Sequence, residues 1–355
     1  MTIALDATYS LGDSLSGVGL YSREILLGLA AAHPETRFHF YYRPHRFLRA
    51  CRDPLPPNVR RRLLAGPLGP RRAALFHGLN QRLPEINARR SIATFHDLFV
   101  LTGEYSTPEF RERFAAQARD AAARASAIIA VSEFTRQQVI SLLNVPAEKV
   151  SVVHHGTRRL PAVPHDETAW APGLSAEAVG QKIVLNVGAI QKRKNIARLV
   201  EAFETVDNSW RLVLVGSSGY GAEEILGRIE RSPARERITV TGYVSPEALA
   251  GWYARAALFA FPSLDEGFGM PVLEAMASGI PVLTSNRSAL PEVAGDAALL
   301  VDPEDTQAIT EALRAMTEQP ELRKDLARRG VLRGGRFTWD KAVRETWNLY
   351  QQVLR

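Results

Sequence analysis

The sequence predicts an α/β protein made of two parallel-sheet domains, and three observations carry that expectation. Its 355 residues suffice for two cores of ordinary size. Short apolar runs alternate with amphipathic stretches of helical period, the pattern of parallel sheets with helical crossovers. The alternation stops between about 158 and 180, where Pro161, Pro164 and Pro172 stand among small and polar residues, and then restarts. The expected division is a first domain at 1–160, a linker at 161–180, a second domain at 181–335 and a closing helix at 336–355.

In the first half, apolar runs predict strands at 2–5, 37–42, 74–76, 92–95, 127–131 and 150–153. Helices are expected at 19–32, 107–124 and 133–143, the last capped by Ser132. The Pro- and Arg-rich stretch 44–70 reads as an irregular excursion with one short strand. In the second half, strands at 182–187, 211–215, 238–241, 258–261, 281–284 and 299–301 alternate with helices at 194–205, 222–231, 246–254 and 270–277. Helices at 306–318 and 320–330 follow. The last helix, 339–353, carries Trp339, Val343, Trp347 and Tyr350 on an apolar stripe that needs a surface to cover.

Composition narrows the function classes. Hydrophobic content of 46% and charged content of 23% fit a soluble globular protein, and no run of about 18 apolar residues suggests a membrane span. The chain opens directly on a strand without the regions of a secretory signal. Cys51 is the single cysteine, so an intrachain disulfide and a thiolate metal cluster are excluded, and a reducing cytoplasm suits the chain. The net charge of +6 is unevenly spread: ten arginines against one acid, Asp53, lie between Arg37 and Arg72. That stretch is either scattered surface arginine or a basic face for anionic lipid or an acidic acceptor. Nucleic acid is not expected as a partner, because the arginines alternate with prolines and no reading motif accompanies them.

Open parallel sheets bind ligands at the carboxyl ends of their strands, and the informative motifs all fall there. The richest runs from Ser263 to Val282. Glu266 and Glu274, with seven residues between them, flank Gly267-Phe268-Gly269 and a helix that starts near Met270. One carboxylate lies on a loop after a strand and the other about one turn inside the helix. Small residues between them let backbone amides approach an anion at the helix N-terminus. Two glutamates at this spacing alone would also suit a solvated helix face. In the loop that begins at Gly188, Arg193-Lys194-Asn195 puts cations at a helix N-terminus, which the helix dipole disfavours unless an anion is present. Gly17-Val-Gly19 precedes a helix but lacks the dinucleotide fingerprint, since position 22 is Ser22. His96-Asp97 and His77-Gly-Leu-Asn80 each follow a strand, as do Gly216 and the turn Gly242-Tyr243-Val244.

Together the Glu266–Glu274 segment, Ala277-Ser-Gly-Ile-Pro281, Arg193-Lys194-Asn195 and His96-Asp97 resemble the retaining glycosyltransferases of family 4, mannosyltransferase-like members above all. The resemblance implies the GT-B fold, two Rossmann-like domains with parallel sheets facing across a cleft. It implies a nucleotide-diphosphate sugar, GDP-mannose favoured, as donor, and a lipid-linked or cell-surface glycan as acceptor. Donor contacts then fall on Gly17, Gly19, Gly188, Arg193, Lys194, Tyr243, Val244 and the run Glu266, Gly267, Phe268, Gly269, Met270, Pro271, Val272, Leu273 and Glu274. Glu274 would take the ribose, and backbone amides from Gly269 to Leu273 would meet sugar and phosphates. Glu266, His96, Arg193 and Lys194 would serve catalysis by positioning and charge stabilisation, with no covalent nucleophile. His77, Asn80 and Asp97 would lie on the acceptor side. The resemblance departs at Ala189, where many members carry arginine; Arg193 would then take over its role. No cofactor and no metal are expected, because no ligand spacing or D-x-D-like dyad is present. The expected location is cytoplasmic, peripheral on the inner membrane face. A sugar-nucleotide epimerase or a non-catalytic nucleotide-sugar binder would use the same donor groove, and both remain as alternatives.

Overall fold

The computed structural model describes residues 1–12, 15–65, 69–70, 73–84, 88–158, 160–161 and 181–355. The linker expected at 161–180 lies, apart from Pro161, outside the described residues, as do Arg71 and Arg72. Contacts divide the chain into one unit of Met1–Gly156 with Phe337–Arg355 and a second of Thr157–Arg336.

The first unit is built on β1 (Thr2–Asp6), α1 (Gly17–Ala32), β2 (Arg37–Tyr42), α2 (Pro44–Ala50), β3 (Val59–Leu63), β4 (Leu75–Gly78) and β5 (Ser91–Phe95). It continues with α3 (Phe99–Thr102), α4 (Pro108–Arg124), β6 (Ala127–Ala130), α5 (Glu133–Leu143) and β7 (Val150–Val152). The seven strands pair in parallel in the order β3-β2-β1-β4-β5-β6-β7. Alternate residues of one strand enter different cores: Ile3 and Leu5 pack with α1, whereas Ala4 packs with α4 and α5. Within 44–70, the stretch read as irregular, α2 forms because Pro44 sits in its first turn, where a missing N–H costs nothing.

The second unit begins with β8 (Lys182–Val187), α6 (Ile196–Phe203), β9 (Trp210–Val215), α7 (Ala222–Glu230), β10 (Ile238–Gly242), α8 (Pro246–Arg255) and β11 (Ala256–Phe261). It closes with α9 (Met270–Ala277), β12 (Val282–Ser285), α10 (Leu290–Ala294), β13 (Ala298–Val301), α11 (Thr306–Glu318) and α12 (Pro320–Gly334). Its six parallel strands run β10-β9-β8-β11-β12-β13. The final helix α13 (Trp339–Leu354) belongs to the first unit, where Val343, Leu349 and Tyr350 are buried among α1 residues. Each such buried side chain stabilises by roughly 1.5–3 kcal/mol. Gly28 lets the two helices close up, because a Cβ there would stand 2.4 Å from Val343 Cγ2.

In both sheets the strand order reverses once, beside β1 and β4 in the first and beside β8 and β11 in the second. Loops leaving two such strands run to opposite sides and open a crevice between them. Gly216, just after β9, fits tightly at the second crevice. Its amide donates to Gly242 O at 2.9 Å, and a Cβ would lie 2.0 Å from Gly188 O. Gly216→Ala should therefore force the backbone apart and lower unfolding stability by about 1–3 kcal/mol. Urea unfolding of the full chain checks this; an unchanged midpoint would mean the loops are looser than described.

Candidate active site

The second unit's crevice holds the acid, Glu266, on the loop after β11 and the cations on the loop after β8. Lys192–Lys194 form a single 3-10 turn, and Asn195 then adopts φ +58° to redirect the chain into α6. Asn195 is held there because its amide group donates to Pro262 O at 3.0 Å and Pro303 O at 2.6 Å. The Leu264 amide donates to Arg193 O at 2.9 Å, so the two loops are laced backbone to backbone. Into this seam point Arg193, Lys194 and Glu266, each less than a tenth exposed.

Glu266 Oε2 lies 3.1 Å from Arg193 Nη1, and Oε1 accepts from Lys194 Nζ and, at 2.7 Å, from the Ser263 hydroxyl. Lys194 Nζ also sits 4.8 Å from the centre of the Phe261 ring. Burial raises the carboxyl's proton affinity, but Arg193 and Lys194 outweigh it and hold the pKa at about 2. The cations expected to await an anion thus already share one inside the protein. Asp265, next in the chain, is buried too, and its carbonyl accepts from Arg193 Nη1. The Glu266 backbone is fixed as well: its amide donates to Ser288 Oγ at 3.1 Å, and its carbonyl accepts from the Ala289 amide at 3.2 Å. Ser288 takes φ +57°, a conformation that non-glycine residues rarely adopt.

Glu274 is the fifth residue of α9 and is also buried, but its surroundings differ. Tyr253 of α8 donates to Oε2 at 2.9 Å, and Arg158 Nε lies 3.0 Å from Oε1. Burial pushes this carboxyl upward, while Arg158 and Tyr253 pull it back. The paired glutamates therefore have opposite electrostatic settings.

Several expected donor contacts take a narrower form here. The amides of Val272 and Leu273 both donate to Gly269 O, and Pro271 has none, so the run from Gly269 to Leu273 offers those of Gly269 and Met270. The side chains of Phe268, Val272 and Leu273 belong to the core. Gly269, at φ +107°, lets α9 start against Leu290, whose Cδ2 would stand 2.7 Å from a Cβ. The Gly188 amide is likewise taken, by Val215 O at 2.8 Å. Tyr243 is exposed and Val244 half-buried, next to Gly242 at φ +69°.

In the first unit, Gly17 and Gly19 open α1, capped by Ser16, whose Oγ accepts from the Gly19 amide at 3.2 Å. His96 Nε2 donates to Leu79 O at 3.0 Å, so Nδ1 of the neutral ring is an acceptor, buried without a partner among the described residues. Burial lowers this pKa to about 4, against the pull of the Leu79 carbonyl. The ring can thus accept a hydrogen bond from a hydroxyl through Nδ1 while remaining uncharged near neutral pH. His77 does not fit the acceptor role. It is fully buried, with Nδ1 bonded to Tyr350 OH at 2.6 Å and Nε2 to Thr94 Oγ1 at 2.8 Å, and neither nitrogen is left for a substrate. Asn80 turns its Oδ1 onto the Gln81 amide at 2.7 Å, and Asp97 is half-buried.

Sequence reading missed the partners around these groups. Tyr21 OH completes the buried chain through Thr94 at 3.0 Å, while its ring meets His96 edge-on and stacks on His155. Arg158, Tyr253, Ser263 and Ser288 were missed in the second unit. Among the described residues, no three His, Cys, Asp or Glu side chains are grouped to hold a metal ion. No described helix is long and apolar enough to cross a membrane.

Comparison with known proteins gives both halves one assignment. The family Glycosyltransferase Family 4 matches residues 16–158, and Glycosyl transferases group 1 matches residues 174–333. The chain is 32% identical over 287 residues to O-antigen chain mannosyltransferase B of Escherichia coli, covering 78% of this chain and 74% of that relative. Sucrose-phosphate synthase of Thermosynechococcus elongatus superposes with a TM-score of 0.77 at 24% identity, over 99% of this chain and 98% of that one. HepE of Anabaena, solved with UDP and glucose, gives 0.72 at 17% identity over 99% of each chain. At these identities the structural likenesses bear on the fold, which is GT-B.

The seam itself makes a prediction. Glu266→Gln leaves two buried cations without their carboxylate and should cost about 3–5 kcal/mol of unfolding stability near neutral pH. Because the folded pKa lies below the ordinary value of 4.5, Glu266's contribution is complete above that value and disappears as pH falls through about 2. The difference between wild type and variant should accordingly stay constant from pH 8 to 5 and shrink below. Added pyrophosphate should narrow it at pH 7. A variant as stable as wild type would show that the cations are not held by Glu266.

Proposed function

This chain belongs to the family 4 glycosyltransferases, and on that premise we propose that it is a retaining, metal-independent mannosyltransferase. Its donor is GDP-mannose, and its acceptor is a lipid-linked or growing cell-surface glycan. The relative named as an O-antigen chain mannosyltransferase supports the sugar and the acceptor class. We place the reaction on the cytoplasmic side of a membrane, where the arginines between Arg37 and Arg62 would meet anionic lipid.

The observation that carries this reading is the laced seam, in which Arg193 and Lys194 are held buried beside Glu266. The donor pyrophosphate lies against these cations. As the sugar–phosphate bond breaks, charge grows on the leaving phosphate, and preorganised cations in a dry site favour that state over the ground state. Losing one such donor costs roughly 3–4 kcal/mol, or about 10²–10³ in rate. The ionised Glu266 accepts hydroxyl hydrogens of the transferred sugar. Both its oxygens are engaged by cations, so it is a poor nucleophile. We therefore assign front-face attack, with the leaving phosphate taking the acceptor's proton. Glu274, steadied by Tyr253, accepts the ribose hydroxyls.

Two measurements follow. Thermal shifts of the full chain should select GDP over UDP and ADP, and NMR of the product should show an α-linkage from the α-donor, unchanged by EDTA. A β-linked product, or EDTA inhibition reversed by Mg²⁺, contradicts the mechanism. Conversion of donor alone into a second sugar nucleotide would identify an epimerase instead. Tyr253→Phe removes one hydrogen bond to a carboxylate and should raise KM for the donor about tenfold with little change in kcat. An equal fall in kcat would place Tyr253 at the reacting end.

A further inference from the structure

A cavity of about 370 Å³ opens in the first unit between residues 10–12, α1 and the stretch from Arg49 to Leu55, and none of the candidate site residues lines it. Three arginines reach it, Arg23, Arg49 and Arg52, against the single acid Asp53. None of the three has an ion pair among the described residues. Gly12, at φ +110°, makes room for Arg49, since a Cβ there would stand 3.0 Å from Nη2. Uncompensated cations gathered in one concave site attract a multivalent anion.

The rim has a second, independent character. Leu27, which lines the cavity one turn beyond Arg23 on the same face of α1, is 43% exposed, and Leu48, beside the lining residue Arg49 on α2, is 82% exposed. Large apolar side chains left in water beside a cationic cavity suit an anion attached to an apolar chain.

We propose that this cavity binds the phosphate-bearing end of an amphiphile, a phosphate or diphosphate ester of a long apolar alcohol. The anion lies among Arg23, Arg49 and Arg52, and the chain leaves over Leu27 and Leu48. Identifying that amphiphile with the lipid end of the acceptor rests on the function proposed above; the binding site itself does not.

Calorimetric titration of the full-length chain with farnesyl diphosphate, inorganic pyrophosphate and farnesol tests this. Farnesyl diphosphate should bind tighter than pyrophosphate by about tenfold or more, and farnesol should not saturate. The double substitution Arg49→Gln with Arg52→Gln, at exposed positions, should weaken farnesyl diphosphate by about tenfold or more. It should leave nucleoside diphosphate binding in the second unit unchanged. Leu27→Ser with Leu48→Ser should remove the advantage over pyrophosphate. Equal affinity for the two phosphates, or undiminished binding in the arginine variant, overturns the proposal. Failure of the wild type to bind any nucleoside diphosphate would count against the donor reading alone.

Discussion

Burying two cations beside one carboxylate is the constraint on which the second unit's chemistry depends. Charge taken out of water is costly unless it is matched closely. Glu266 meets both Arg193 and Lys194 at the seam. The surrounding backbone is fixed: Asn195 ties its turn to the carbonyls of Pro262 and Pro303, and Ser288 with Ala289 grips Glu266. The seam lies where the strand order reverses between β8 and β11, the one place in that sheet where two strand-end loops can meet at an open crevice. Topology brings the loops together, hydrogen bonds lock them, and buried charge is gathered where they meet.

The two glutamates show how one spacing yields two chemistries. Glu266 is kept ionised by direct contact with cations, so it is always an acceptor of hydrogen bonds. Glu274 lies deeper, with burial driving it up and Arg158 and Tyr253 restraining it. In the first unit the histidines divide in the same manner. His77 spends both nitrogens inside a buried chain, whereas His96 keeps Nδ1 unengaged among the described residues. Burial depresses both. Their difference in availability comes from hydrogen bonds, not from acidity.

Much of this was legible in the chain because it is local. The alternation of apolar runs and helical stretches located twelve of the strands, and α9 has the bounds that its Gly-rich start and flanking Pro-containing strand imply. The short strand expected somewhere in 44–70 proved to be β3, but α2 was hidden by arginines whose spacing looks irregular outside a helix. Arg193, Lys194 and Glu266 stood out in the sequence as single residues, not as a contact set. Lys194 and Glu266 are 72 positions apart, and nothing in either segment says that one neutralises the other. Tyr253, Ser288 and Arg158 were invisible for the same reason, and His77 was misjudged because its partner Tyr350 stands 273 positions away on the last helix.

The most direct measurement compares the affinities of GDP and GMP for the wild type and for Lys194→Met. If the seam holds the donor's pyrophosphate through its cations, the wild type should prefer the diphosphate strongly, and the variant should lose most of that preference while binding GMP as before. An undiminished ratio in the variant would contradict the account, because the second phosphate would then be held elsewhere.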